Sequence, residues 1–130
     1  MIKEIIKYGE AEVTYKSKQL LAEKPKLYNL FWETTLRCNA KCKHCGSRAG
    51  ENIKLDDELT TEEIKKALLS IAKKYDARKI LLNITGGEPL VREDLFEVMN
   101  FANKLGYHWG MTTNAMLIND DKIEKMKKVE

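Results

Sequence analysis

The feature that most constrains the fold is a short apolar run lying between two segments of helical periodicity. Residues 79–85 read Lys-Ile-Leu-Leu-Asn-Ile-Thr, and such a nearly continuous run predicts a strand buried on both faces. Before it, Thr60 and Glu63 form a capping-box pair that begins a helix. After it, a second helix is predicted from about residue 93 to residue 105, and Gly106 is placed to end it. The first helix has an apolar face at helical spacing, formed by Ile64, Ala67, Leu68, Ile71, Ala72 and Tyr75.

The same alternation continues on both sides of this unit. Residues 30–34 predict a first strand, and a polar loop follows from residue 35 to about residue 59. Residues 108–113 predict a third strand, and Asn119 or Asp120 could cap a third helix. The order β-loop-α-β-α-β-α predicts an α/β fold with a parallel sheet and crossover helices.

Three unusual segments follow the three predicted strands. A cysteine-containing loop follows the first strand, residues 86–89 read Gly-Gly-Glu-Pro after the second, and residues 112–114 read Thr-Thr-Asn after the third. Ligands of such sheets bind at the carboxyl ends of the strands. The sequence therefore predicts one functional site that draws on all three segments.

The first part of the chain has a weaker pattern. Residues 11–15 alternate weakly, as a strand would, and residues 17–24 predict a short helix before Pro25. We expect residues 1–27 to form an N-terminal extension and residues 28–130 to form the domain.

Composition excludes several classes of protein. The 130 residues are 43% hydrophobic and 33% charged, and the net charge is only +3. That charge gives no reason to expect nucleic acid or a membrane as a partner. No run of about 18 apolar residues occurs, and the charged N-terminus lacks the pattern of a secretory signal. We expect a cytoplasmic protein.

The three cysteines of the chain are Cys38, Cys42 and Cys45, with the spacing C-x3-C-x2-C. Three thiolates can hold three irons of a cubane cluster and leave the fourth iron open to a substrate, whereas a simple ferredoxin uses four protein ligands per cluster. Three alternatives compete with this interpretation. The cysteines could be inert buried thiols, a zinc site completed by a histidine, or a disulfide with a spare thiol. The polar loop, the position of His44 beside Cys45 and the expected cytoplasmic compartment disfavour the three in turn.

The cysteine loop resembles the signature of the radical S-adenosylmethionine (radical SAM) superfamily. His44 stands before the last cysteine, where that family favours an aromatic ring. Residues 32–39 and 45–50 look most like the branch that matures peptides and cofactors, whose members carry a C-terminal domain with auxiliary clusters. Residues 86–89 resemble the family's Gly-Gly-Glu-Pro motif.

The resemblance implies a partial parallel (β/α) barrel, with about three βα units of a six-unit TIM-like barrel. It also implies two cofactors, a 4Fe–4S cluster and S-adenosylmethionine. Reductive cleavage of S-adenosylmethionine would give methionine and a 5′-deoxyadenosyl radical that abstracts hydrogen from a substrate. No residue is predicted to act as a catalytic acid or base. The implied metal ligands are Cys38, Cys42 and Cys45, and the implied cofactor-binding residues are His44, Gly86, Gly87, Glu88, Thr113 and Asn114.

The length of the chain departs from this family pattern. The 130 residues supply about three of the six βα units, so we expect a fragment, a truncated product or one half completed by another chain. We expect the chain to be inactive alone. The expected partners are a peptide substrate, an external electron donor and either a second copy or a missing C-terminal half. The runner-up hypothesis is a non-catalytic iron–sulfur module, and a zinc-binding domain is the third.

Overall fold

A computed structural model describes residue 10 and residues 12–20, 26–51, 53 and 58–129 of the chain. Within them a three-stranded parallel sheet is covered by helices. This architecture is α/β and is that of a partial βα barrel, as the sequence predicted. The strands are β1 (Asn29–Glu33), β2 (Leu81–Thr85) and β3 (His108–Met111), and the helices are α1 (Thr61–Lys74), α2 (Leu95–Lys104) and α3 (Asp120–Lys127).

The strand order β1-β2-β3 places β2 at the centre of the sheet. Phe31 lies opposite Asn83, and Asn83 lies opposite Gly110. Because all three strands are parallel, their carboxyl ends meet at one edge of the sheet. The three segments that follow the strands are thereby brought to the same edge.

The two faces of the sheet differ in burial. Leu82 and Ile84 of β2 are 0% and 1% exposed, because they face the helices. Leu81, on the opposite face, is 38% exposed, and Phe31 of β1 is 70% exposed. The predicted strand is present at Leu81–Thr85, but the prediction that both of its faces are buried was wrong. The helices cover one face of the sheet, and alternate side chains of a strand point to opposite faces.

Local signals determine several helix ends. The capping box of Thr60 and Glu63 is present, and the Asn119 side chain accepts a hydrogen bond from the backbone of Lys122 at the start of α3. Gly106 follows α2 with a φ of +93°, a backbone conformation that suits glycine. Ala67 is exposed rather than on the inner face of α1.

The N-terminal extension contains a helix where the sequence predicted a weak strand. Residues 12–20 are helical and exposed, so the predicted strand is wrong at residues 12–15 and the predicted helix over residues 17–24 is confirmed at residues 17–20. Residue 11 lies outside the described residues. Thr14 Oγ1 donates to the Glu10 carbonyl, and Lys16 pairs with Glu12 across one turn at 3.0 Å. Contacts at this spacing favour a helix over a strand. Residues 21–24 of the predicted helix lie outside the described residues.

One hydrophobic core lies between the sheet and the helices. Tyr107 is 2% exposed, and its hydroxyl donates to the Leu68 carbonyl at 2.8 Å, so α1 is joined to the segment before β3. Burial raises the pKa of the Tyr107 hydroxyl above its ordinary value. None of the described helices is both long and apolar enough to cross a membrane. The buried core residues are Trp32, Ile64, Leu68, Ala77, Ile80, Leu82, Ile84, Leu90, Leu95, Val98, Met99, Ala102, Tyr107 and Val129.

Candidate iron–sulfur and cofactor site

The cysteine loop leaves the end of β1 and returns to its own base. The Gly50 N–H donates to the Leu36 carbonyl at 3.0 Å, and the Cys38 N–H donates to the Gly50 carbonyl at 3.1 Å. These bonds form a parallel bridge between Arg37 and Gly50. The loop is thus closed at its base, and the segment that bears the cysteines projects from this edge of the sheet.

All three cysteines of the loop are free thiols. Cys38 is half-buried, whereas Cys42 and Cys45 are exposed. The Cys45 N–H donates to the Cys42 carbonyl at 3.3 Å, which forms a turn between them. In the described part of the chain, no three His, Cys, Asp or Glu side chains are grouped closely enough to hold a metal ion. The exposure of these thiols disfavours inert core cysteines, and no disulfide joins them.

The glycines after β2 lie against the base of the cysteine loop. A Cβ on Gly86 would lie 2.5 Å from the Thr35 carbonyl oxygen, and a Cβ on Gly87 would overlap the Arg37 carbonyl. The Gly87 N–H donates to Thr35 at 2.7 Å, and the Glu88 N–H donates to Arg37 at 2.9 Å. The Gly-Gly pair is therefore required by a close approach of two backbone segments.

Glu88 joins the second strand end to the third. Its side chain is fully buried. Oε1 accepts hydrogen bonds from the Leu90 N–H at 3.0 Å and from Thr113 Oγ1 at 2.8 Å. Oε2 accepts from the Asn114 N–H at 2.7 Å. A carboxylate accepts up to about four hydrogen bonds. Glu88 accepts three, and both of its oxygens are hydrogen-bonded.

Asn114 reaches back from the third strand end to the cysteine loop. Its side-chain nitrogen lies 2.9 Å from Asn39 Oδ1 and 3.8 Å from Cys38 Sγ. The structure therefore brings Glu88, Thr113, Asn114 and Cys38 together at one edge of the sheet, as the sequence predicted for the three strand ends. His44 is exposed at the tip of the loop.

Arg92 holds together the two ends of the long loop between β1 and α1. Its guanidinium donates to the Thr34 carbonyl at 2.8 Å and to the Leu59 carbonyl at 2.7 Å. It also donates twice to Asp94, at 2.6 Å and 3.0 Å, and it lies over the Trp32 ring with its central carbon 5.7 Å from the centroid. The Arg92 side chain is only 7% exposed, so this is a buried cation that donates four hydrogen bonds.

Acidic side chains surround this arginine. Burial alone would raise the pKa of the Asp94 carboxyl, but hydrogen bonds from Arg92 and Thr61 outweigh it, and the pKa lies below its ordinary value. Glu58 accepts a hydrogen bond from the Thr35 hydroxyl and lies 3.8 Å from both Arg92 and Arg37. The start and the return of the cysteine-bearing loop are thereby joined through side chains.

The sequence profile of the radical SAM superfamily matches residues 32–130. The chain belongs to the radical SAM superfamily. The match begins within β1 and includes the cysteine loop, the Gly-Gly-Glu-Pro turn and the third strand end.

Three curated proteins illustrate the similarity of this radical SAM chain to known relatives. Fe-coproporphyrin III synthase of Methanosarcina barkeri is 36% identical over 124 residues, which cover 95% of this chain and 30% of that protein. A probable GTP 3′,8-cyclase of Thermococcus kodakarensis is 38% identical over 92 residues, which cover 71% of this chain and 29% of that protein. The PqqA peptide cyclase of Bradyrhizobium diazoefficiens is 32% identical over 94 residues, which cover 72% of this chain and 24% of that protein. The chain thus spans about a third or less of the length of these relatives.

The cofactors of radical SAM proteins are a 4Fe–4S cluster and S-adenosylmethionine. The donor set of this chain fits the cluster, because three free thiols lie on one loop whose base is already hydrogen-bonded to the sheet. Thiolates are the ligands that hold such clusters. Cys38, Cys42 and Cys45 are the residues that would hold it.

Sequence reasoning missed the side chains that hold the site in place. No sequence motif identified Arg92, Asp94 or Glu58. Asn39, which lies between Cys38 and Cys42, was not predicted to be a site residue. The one available signal was a charged residue, Arg92, three positions after Pro89 in an otherwise apolar turn. Only the contacts across the fold reveal what these residues do.

Proposed function

We propose that this chain carries the cluster-binding and methionine-binding part of an enzyme that cleaves S-adenosylmethionine reductively. The observation that supports this most is the pair of backbone hydrogen bonds from Gly87 and Glu88 to the base of the cysteine loop. They join the Gly-Gly-Glu-Pro turn to the base of the loop that carries the three thiols. When bound, the reduced cluster supplies the electron that converts S-adenosylmethionine to methionine and a 5′-deoxyadenosyl radical.

In this proposal the residues of the chain bind and orient the cofactors. Cys38, Cys42 and Cys45 hold three irons, and the half-buried Gly86 and Gly87 contact the cofactor from the same edge. His44, exposed at the tip of the loop, stays a predicted cofactor contact.

A direct contact from Glu88 to the methionine amino group also stays a prediction. The structure buries this carboxylate and satisfies Oε1 with two hydrogen bonds, whereas Oε2 accepts one and keeps a lone pair. Thr113 and Asn114 are proposed to face the cofactor from the third strand end.

The proposed substrate is a peptide. The similarity of the cysteine loop to the peptide- and cofactor-maturing branch supports this, as does the similarity to a PqqA peptide cyclase. A tetrapyrrole is the second candidate, because the alignment with Fe-coproporphyrin III synthase covers 124 of the 130 residues. It leaves out at most six residues of this chain, and so necessarily includes most of the extension 1–27.

We further propose that turnover needs residues outside these 130, supplied by a longer chain, a second copy or a partner subunit, together with an external electron donor. The three thiols are kept free most readily under reducing conditions, and this supports a cytoplasmic site of action. The runner-up function is a non-catalytic iron–sulfur module that holds a cluster without presenting it to S-adenosylmethionine.

The test is anaerobic reconstitution of the 130-residue chain with iron and sulfide, followed by electron paramagnetic resonance of the reduced protein. We expect a cluster signal that changes when S-adenosylmethionine is added, and no signal in Cys42→Ser. A cluster signal that does not change when S-adenosylmethionine is added supports the non-catalytic module instead. Absence of any cluster contradicts both and leaves zinc, which metal analysis would detect. Titration of the chain with Fe-coproporphyrin III, followed by the visible absorption of the porphyrin, tests the tetrapyrrole candidate. A parallel titration with a panel of peptides tests the peptide candidate.

A further inference from the structure

We propose that the side-chain amide of Asn114 donates a hydrogen bond to Cys38 Sγ and thereby raises the reduction potential of the cluster that Cys38 helps to hold. The inference rests on the proposed function. Its starting observation is that Asn114 Nδ2 lies 3.8 Å from Cys38 Sγ, although the two residues are 76 positions apart in the chain. Asn114 follows the third strand, whereas Cys38 lies in the loop after the first, so this contact joins two strand ends.

The orientation of the Asn114 amide is determined by its other contacts. Oδ1 accepts a hydrogen bond from the Met116 N–H at 2.9 Å, so the oxygen must face the following turn. Nδ2 must then face the cysteine loop, where one of its N–H groups donates to Asn39 Oδ1 at 2.9 Å. Because an amide nitrogen carries two N–H groups, the second remains for Cys38 Sγ. Exchanging nitrogen and oxygen would place two donors together at Met116 and two acceptors together at Asn39.

The turn that carries Asn114 is held in place from inside the protein. The buried Glu88 carboxylate accepts from the Asn114 N–H at 2.7 Å and from the Thr113 hydroxyl at 2.8 Å. The next residue, Ala115, has a φ of +64°, which is uncommon for a residue with a Cβ. Its N–H donates to Thr113 Oγ1 at 3.0 Å. Such a conformation persists only where surrounding contacts enforce it, and it is typical of functional sites.

The chemistry at Cys38 gives this contact its effect. Cys38 Sγ also accepts from the Ala40 N–H at 3.4 Å, so this sulfur has one backbone donor and one side-chain donor. Hydrogen bonds to the sulfurs of a cluster are among the terms that determine its potential. A donor stabilises the more negatively charged reduced cluster more than the oxidised cluster, and the potential rises. Removing the Asn114 donor should therefore make the cluster harder to reduce.

Two substitutions distinguish the effect of losing the amide donor from the effect of losing the turn contact to Met116. Asn114→Asp keeps an oxygen for the Met116 N–H but replaces the donor with a second oxygen, whereas Asn114→Leu removes both functions. Asn100→Leu is the matched control, because Asn100 lies on α2 and donates to the Phe96 carbonyl away from the site. Each variant is reconstituted anaerobically, and its midpoint potential is measured by a redox titration followed by electron paramagnetic resonance.

We expect both Asn114 variants to shift the reduction equilibrium toward the oxidised cluster by about tenfold, or about 59 mV for a one-electron couple. Asn114→Asp should show the larger shift because it adds a negative charge, and Asn100→Leu should show none. Wild-type potentials in both Asn114 variants, at equal iron content, would overturn the inference while leaving the proposed function intact. Loss of the cluster from both, with unchanged circular dichroism, would assign Asn114 to loop placement alone and also overturn it. Failure of the wild-type chain to take up any cluster would overturn the proposed function itself.

Discussion

The base and the tip of the cysteine loop are organised differently. At the base, Thr34 and Thr35 are each 2% exposed, and backbone bonds join this segment to the turn at residues 86–88. At the tip, residues 41–48 are all exposed. Cys38 stands at the boundary between the two regions, half-buried and with its backbone N–H bonded to Gly50.

From this difference we expect the base to be ordered by folding and the tip to be ordered by a bound cluster. The base is hydrogen-bonded to the turn at residues 86–88, so we expect it to form together with the sheet. The tip has no comparable packing in the described residues, and a bound metal can supply the energy that orders its ligands. One loop thus combines a fixed anchor with a tip that can adapt to the cluster.

The largest effect is expected from removing the arginine that holds the base. Arg92→Ala leaves Asp94 without its partner and the carbonyls of Thr34 and Leu59 without a donor. Breaking a buried ion pair from one side costs about 3–5 kcal/mol. We expect the free energy of unfolding to fall by about 3 kcal/mol, because Asp94 keeps the Thr61 hydrogen bond and some contact with solvent. Urea unfolding of the metal-free chain measures it.

Arg78→Ala is the control for Arg92. Arg78 also pairs with an aspartate two residues away, but its side chain is 80% exposed. Exposed pairs contribute little to stability, because water and salt screen them, so Arg78→Ala should cost much less than Arg92→Ala. Equal losses from the two substitutions would show that the buried arginine does not hold the base.

An intermediate effect is expected at the contact between the glycine turn and the loop base. A Cβ on Gly87 would overlap the Arg37 carbonyl, whereas a Cβ on Gly46 at the tip would meet no atom within 4 Å. Forcing extra volume into a packed site costs about 1–3 kcal/mol, so Gly87→Ala should destabilise the chain by about 2 kcal/mol. Gly46→Ala should stay within about 0.5 kcal/mol of wild type. Thermal unfolding of both variants tests this, and a harmless Gly87→Ala would contradict the close approach.

The smallest effect on folding is expected from a cysteine at the tip. Cys42 is exposed and free, so Cys42→Ser should change the stability of the metal-free chain by less than about 0.5 kcal/mol. The same substitution should sharply reduce the iron content after reconstitution, because it removes one of the three proposed ligands. A loss of stability comparable to that of Gly87→Ala would show instead that the tip is part of the folded core.

Much of the scaffold could be predicted because its signals are local. The Thr60–Glu63 capping box and the Gly106 helix end each depend on residues close in sequence, and both were confirmed. The exposed face of β2 could not be predicted, because the run at residues 79–85 shows which residues are apolar and not which face a helix covers. The helix predicted over residues 17–24 begins earlier than expected, because contacts across one helical turn, such as Thr14 to Glu10, outweigh the weak strand-like alternation of residues 11–15.

The sequence by itself determined the order of strands and helices and brought three motifs to one edge of a parallel sheet, because periodicity and chain direction are properties of the linear chain. Only the tertiary structure decided that Glu88 is buried and joins two strand ends, that Arg92 joins the two ends of the loop and that Asn114 reaches Cys38. Those roles depend on which donor meets which acceptor between residues far apart in the chain. That matching is set by strand register and by the close approach of backbone segments, and neither is encoded in any single stretch of residues.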